Sequence, residues 1–345
     1  MDGRIARTRR TALVLLACAS LGACSGGNAG GAGGSGIKLA MVTDVGGLGD
    51  KSFNDSAYRG LQEAKTAFGA QITVLESKSA ADYQPNLTAL ANAGNDEIFA
   101  VGYLMNQDLD QVALNYPQSH FAIIDTVVDE PNVVSVTFRE QESSFLAGAL
   151  AAMMTKTKTI AFLGGVDVPL IRKFEAGFTA GAREIDPSVH VLVKYVGSFE
   201  DVASGRELAA LLFDDKADVV FIGAGKSGLG AIDELRARSG VYGIGVDSDQ
   251  DGLAPGKILT SVVKNVDTAV FKIAAQVHDG HPPVGHIELG LKEGGVGLTN
   301  FAYTKSLIGA AKIARLARLR QAIIEHEIVP PTTREALATF KPVAL

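Results

Sequence analysis

Hydrophobic positions along this chain follow two alternating rhythms. Short, nearly continuous apolar runs such as IKLAMVT (37–43) read as strands buried on both faces. Between them, apolar or small residues recur at three- and four-residue spacing, the mark of one helix face. In AYRGLQEAKTAF (57–68) they fall at 57, 60, 61, 64, 67 and 68. Further strands are predicted at QITVLES (71–77), EIFAVG (97–102), HFAIID (120–125) and NVVSVTF (132–138), with helices over about 83–94 and 106–115. A second series follows the helix SSFLAGALAAMM (143–154). It has strands at TIAFLGG (159–165), HVLVKYVG (190–197), DVVFIGAG (218–225) and VYGIGVD (241–247), and helices near 170–185, 203–213 and 228–238. GKILTSVVK (256–264) then reads as a strand, VDTAVFKIAAQVHDG (266–280) as a helix and GHIELGLKEGG (285–295) as one more strand. The β-α-β-α order predicts doubly wound parallel sheets, and two series predict two facing lobes.

The N-terminal segment breaks this rhythm. Arg4, Arg7, Arg9 and Arg10 precede TALVLLACASL (11–21), an apolar run too short to span a bilayer. Leu21-Gly22-Ala23-Cys24 then matches a lipobox, in which the cysteine is acylated after cleavage; an ordinary secretory peptide with a chance cysteine is the alternative. A twin-arginine signal at Arg9-Arg10 fits the following residues poorly. SGGNAGGAGGSG (25–36) has the composition of a flexible tether. Residues 1–23 therefore read as a lipoprotein signal peptide, and 24–36 as the lipidated Cys24 plus tether. The expected location is the outer face of the cell membrane, or its periplasmic side, without a spanning helix. Cys18 and Cys24 are the only cysteines, so the exported domain carries no disulfide.

The 345 residues suffice for two domains, and 47% apolar content supports a sizeable core. A formal charge of −6 without a lysine or arginine block disfavours nucleic acid as a partner.

Several strands end in aspartate or glycine: Asp44, Gly102, Asp125, Gly164-Gly165, Gly223 and Asp247. Ligands of open α/β sheets bind at the carboxyl ends of strands. Glycine there lets backbone approach a ligand, although each aspartate could equally be a turn residue or a helix cap. MVTDVGGLGDKSFND (41–55) nearly spells a phosphate loop, but Asp50 occupies the position before Lys51 where glycine is required. Asp44 and Asp50 would repel a phosphate. Gly223, Gly225 and Gly228 have GxGxxG spacing, a weak signal in an exported chain. His278, His281 and His286 are spaced loosely for a metal, and neither HExxH nor GxSxG occurs. No metal, cofactor or catalytic machinery is expected, so the chain reads as a non-enzyme. The basic helix with Lys312, Arg315, Arg318 and Arg320 reads as a solvated face.

TDVGGLGDKSFNDSAYRGL (43–61), FAIID (121–125), REQESSFLAGALAA (139–152), FEAGF (174–178), YVGSFED (195–201) and GVDSDQDGLAPGKILTSVVKNVD (245–267) together resemble the basic membrane protein family, from about Lys38 to Val329. These are lipoproteins of the purine nucleoside receptor type, substrate-binding components of ABC transporters. The resemblance implies the type I periplasmic-binding-protein fold: two Rossmann-like lobes, three crossing segments and a cleft that closes on ligand. Lobe 1 would comprise 37–138 plus 265–292, and lobe 2 139–264 plus 293–345, with the hinge near Arg139, Lys264 and 286–292. It further implies that Asp44 and Asn54 meet the polar edge of a purine. Phe53 and Phe199 would stack on its two faces, and Asp125, Asp247 and Lys264 would take the ribose. Gly223-Ala224-Gly225 would bring backbone to the ligand. Two departures from the family pattern stand out. Asp55 replaces the usual glutamine and is expected to face solvent. Lys226-Ser227 replace glycine-threonine, with Lys226 expected to be solvated. The implied partners are a purine nucleoside, a permease with its ATPase, and the membrane through the lipid, with the receptor itself monomeric. The same fold with a sugar or another small signal molecule is the alternative.

Overall fold

The computed structural model describes residues 36–343. Signal peptide, Cys24 and all of the tether but Gly36 lie outside the described residues. Twelve strands form two six-stranded sheets among these residues. The first sheet holds β1 (Lys38–Thr43), β2 (Gln71–Glu76), β3 (Glu97–Val101), β4 (Phe121–Ile124), β5 (Val133–Phe138) and β11 (Gly285–Leu289), in the order β11-β5-β4-β3-β1-β2. The second holds β6 (Thr159–Gly164), β7 (His190–Tyr195), β8 (Val219–Gly223), β9 (Tyr242–Asp247), β10 (Ile258–Lys264) and β12 (Val296–Leu298), in the order β12-β10-β9-β8-β6-β7. Strands β3, β4 and β5 are buried throughout, whereas the edge strands β2 and β7 alternate toward solvent. Helices on both faces produce this gradient, which is why the central runs look uniformly apolar in the sequence.

The chain passes between the sheets three times: after β5, after β10, and between β11 and β12. At the third passage the single strand expected over 285–295 divides. β11 pairs parallel with β5, a turn follows from Gly290, and β12 pairs antiparallel with β10. Glycines at 290, 294 and 295 permit the break, and Gly294 takes a positive φ of 70°. Arg139 fastens this crossing, donating to Glu288 at 2.9 Å beside Glu142 at 3.6 Å.

The first helix begins at Phe53, four residues before the apolar periodicity suggests. Its first amides have a carboxylate partner, described below. In the second lobe, helices Glu140–Met154 and Pro169–Ile185 cross with backbones in contact. A Cβ on Gly148 would overlap the Phe178 carbonyl, and one on Gly181 the Phe145 carbonyl. This crossing sets both helix N-termini at the gap between the lobes. The C-terminal segment is fastened to the same lobe by Arg334, which donates to Glu175 at 2.7 Å. No helix among the described residues is long and apolar enough to cross a membrane.

Candidate functional site

The glycine-rich turn after β1 folds around a carboxylate. Asp50 accepts from the amides of Ser52 (2.9 Å), Asn54 (2.8 Å) and Asp55 (3.1 Å), occupying the N-terminus of helix 53–68. That is where a phosphate loop would place its anion. The near-Walker pattern is thus a self-satisfied anion site. Asp55 does not simply face solvent as expected; it accepts from the amides of Gly49 (2.7 Å) and Lys51 (3.1 Å) and clamps the turn.

Asn54 links this turn to β1. Its Nδ2 donates to Asp44 Oδ1 (2.8 Å) and to Asp50 Oδ2 (3.0 Å). Asp44 Oδ1 also accepts from the Gly46 amide at 2.9 Å. Asn54 Oδ1 is shut off from solvent without a hydrogen-bond partner. Burial pushes the Asp44 carboxyl up to about 6, against the opposing hydrogen bonds from Asn54 and Gly46.

At the hinge end the charges are compensated differently. The Lys264 ammonium, 3% exposed, donates to Asp125 Oδ2 at 2.6 Å and lies 3.8 Å from Glu140 and 3.9 Å from Asp247. It also sits 4.7 Å above the Phe53 ring centroid. Burial alone would lower its pKa, but Asp125, Asp247 and Glu140 outweigh that and raise it. Glu140 is pushed up to about 7 by burial, with Lys173 at 3.3 Å and Lys264 opposing. Asp247 is pushed up to about 6 by burial, with Lys264 and Ser52 opposing. Asp125 (φ 79°) and Asp247 (φ 60°) both occupy the left-handed region at strand ends. For residues other than glycine that conformation costs ~1–3 kcal/mol and persists where the surroundings enforce it. Asp125 Oδ1 is buried without a partner.

All nine binding residues singled out in the sequence line one cavity between the sheets, with about 590 Å³ of unoccupied space including its mouth. Asp44, Phe53, Asn54 and Asp125 enter from the first lobe. Phe199, Gly223, Gly225 and Asp247 enter from the second, and Lys264 lies at the crossing. Gly165 has a role other than ligand approach: a Cβ there would overlap the Phe199 ring, so the glycine seats that ring against the backbone. Lys226 lines the cavity half-buried, in place of the fully solvated position expected. Leu170, Ile171 and Phe174, from the first turns of helix 169–185, add an apolar wall that the strand-end reasoning overlooked. Pro169 at the helix start was their available signal. The lobes meet beside the cavity. Ser52 Oγ donates to Asp247 Oδ2 (2.7 Å), Ser248 Oγ to the Ser52 carbonyl (2.7 Å), and Gln250 Nε2 to the Lys51 carbonyl (3.1 Å). Of the three histidines weighed as metal ligands, His278 stacks on Phe68 at 4.5 Å, and His286 bonds Thr137 at 2.7 Å.

Two parallel-dominated α/β lobes, crossed three times by the chain and sharing a cavity lined from both sides, define a type I periplasmic solute-binding protein. A solute-binding protein of an ABC transporter system from Aeropyrum pernix K1 superposes with a TM-score of 0.81 at 28% identity, covering 88% of this chain and 96% of that one. The family model for PnrA-like ABC transporter substrate-binding proteins (Bmp) matches residues 37–334. The chain therefore belongs to the Bmp family of ABC transporter substrate-binding proteins. One relative, the "ABC transporter nucleoside-binding protein BmpA" of Lactococcus lactis subsp. cremoris (strain MG1363), is 36% identical over 318 residues, 86% of this chain and 89% of that protein. Basic membrane protein A of Borreliella burgdorferi is 35% identical over 310 residues, covering 88% and 90%.

Proposed function

We propose that this chain is an exported, lipid-anchored receptor that captures a purine nucleoside between its lobes and delivers it to an ABC permease. The observation that carries this reading is the pairing of Phe53 with Phe199, one from each lobe, on a single cavity. A flat base uses two aromatic walls, and base stacking is worth ~1–3 kcal/mol per base in single-strand binders. Asp125 Oδ1, which lacks a partner, and Asp247 offer acceptors for ribose hydroxyls. The nucleoside-binding name of the Lactococcus relative supports the same class. Asp50, already fixed at the helix N-terminus, and the charged Asp44 disfavour a phosphate there. Because ligand would touch both lobes, it would favour the closed form over the open one. The anchor would be Cys24, and the working unit a monomer.

Calorimetric titration with guanosine, inosine, adenosine and free ribose tests this. Purine nucleosides bind and ribose does not; ribose binding without nucleoside binding would overturn the reading. Asp247→Ala lowers nucleoside affinity at least about tenfold, ~1.4 kcal/mol. Labelled palmitate enters the wild-type chain and not Cys24→Ser.

A further inference from the structure

The strand end that carries Asp247 turns sharply, and the turn is held in part from the other lobe. Asp247 closes β9 with a φ of 60°, and the Ser248 amide donates back across it to the Val246 carbonyl at 2.7 Å. Gln250 props the turn within its own lobe, its Oε1 accepting from the Val246 amide at 3.0 Å. The remaining partners come from the first lobe. Ser52 Oγ donates to Asp247 Oδ2 at 2.7 Å and has the Val246 carbonyl at 3.3 Å. Ser248 Oγ donates to the Ser52 carbonyl at 2.7 Å, and Gln250 Nε2 to the Lys51 carbonyl at 3.1 Å. Ser52, Ser248 and Gln250 are all buried, so this junction is not a surface contact. Ser52 is fixed in its own lobe, because Asp50 accepts from its amide at 2.9 Å. Asp247 Oδ1 has the Lys264 ammonium at 3.9 Å, too far for a hydrogen bond. Asp247 lines the cavity and Ser52 does not, so Ser52 can act on a ligand only through Asp247.

We infer that Ser52 is a positioning residue for Asp247: from the first lobe its hydroxyl holds one oxygen of a carboxylate that belongs to the second. The acceptor offered to the ligand is then complete only where the lobes meet. The inference rests on the nucleoside reading above, in which Asp247 takes a ribose hydroxyl. A residue other than glycine stays in the left-handed region only while its surroundings enforce it. Here part of the enforcement crosses the gap, so parting the lobes withdraws Ser52 and lets the carboxyl turn. A hydroxyl bonded to a carboxylate makes a charge-assisted bond, stronger than one between neutral groups. The sugar thus meets an acceptor already oriented, and no side-chain freedom is lost there on binding. Lobe closure and sugar capture are thereby coupled.

Two measurements on the purified full chain test this. In the empty protein, Ser52→Ala speeds amide hydrogen exchange over residues 246–250 by about tenfold, while β3 keeps its protection. With guanosine as the probe, calorimetry shows Ser52→Ala weakening binding by about tenfold. Adding Ser52→Ala to Asp247→Ala then costs no further affinity, because a residue that acts through another has no effect once that one is gone. A merely structural lesion would add its loss to that of Asp247→Ala. Unchanged exchange over 246–250, unchanged guanosine affinity in folded Ser52→Ala, or losses that add in the double variant each overturn the inference and leave the nucleoside reading standing. Should Ser52→Ala not fold by circular dichroism, Ser248→Ala cuts the same junction and is measured in its place, with the same outcomes deciding. Absence of guanosine binding by the wild type overturns the nucleoside reading instead, and the exchange measurement alone then decides whether Ser52 holds Asp247.

Discussion

The two ends of the cleft handle buried carboxylates in opposite ways. At the base end, Asp44 and Asp50 are met by amide dipoles: the Gly46, Ser52, Asn54 and Asp55 backbone and the Asn54 side chain. At the hinge end, Asp125, Asp247 and Glu140 surround the Lys264 ammonium, with Lys173 behind. Dipoles fix a carboxylate while leaving some of its lone pairs free, which suits reading an uncharged ligand edge. An ammonium offsets charge and joins segments distant in sequence, which suits a hinge. Removing a participant should therefore damage stability at one end and selectivity at the other.

The largest effect follows from Lys264→Met. Three carboxylates lose their common cation, and breaking such a buried cluster costs ~3–5 kcal/mol. Thermal melting would show this as a steep drop; a melting temperature within a degree or two of wild type would erase the distinction between the ends. Phe199→Ala comes next. It removes one aromatic wall and lowers nucleoside affinity by ~1–3 kcal/mol in calorimetry, with little change in melting.

Changing pH separates empty and occupied states. Asp44 and Asp247 are raised by burial from 3.8 to about 6 in the folded chain. Between those values the folded state holds more protons than the unfolded one, so stability of the empty protein falls as pH rises through that window. Nucleoside binding runs the other way, because a base N–H meeting Asp44 needs the ionised carboxylate. Affinity is full well above pH 6, declines as pH falls through it, and drops by up to about tenfold per unit below it. Parallel melting and calorimetric series at pH 5 to 7.5 check both slopes; slopes of the same sign would contradict the assignment. The smallest effect is Lys226→Met. A half-buried, flexible ammonium contributes ~0–1 kcal/mol, so guanosine affinity shifts by less than about fivefold in the same calorimetry.

Much of the fold was legible because buried parallel strands leave uninterrupted apolar runs, as in β3 and β8. The β11–β12 break was not, since Gly290 to Gly295 interrupt hydrophobic pattern without saying which sheet each half joins. Site residues at strand ends could be placed from the rule that ligands gather there. Asp50 could not, because its role as partner of three amides depends on the turn's three-dimensional closure. Glu140 and Lys173 were hidden for a similar reason: Glu140 meets Lys264, and Lys173 meets Glu140, through the crossing of segments far apart in sequence. The Lys226 ammonium looked like any surface lysine until β8 carried it to the cavity wall.

A crystal structure of the chain with guanosine tests the central claim most directly. The base should lie flat between Phe53 and Phe199, with its polar edge against Asp44 and Asn54. A guanine ring lying outside that gap, or inside it with that edge turned toward solvent, would contradict the account.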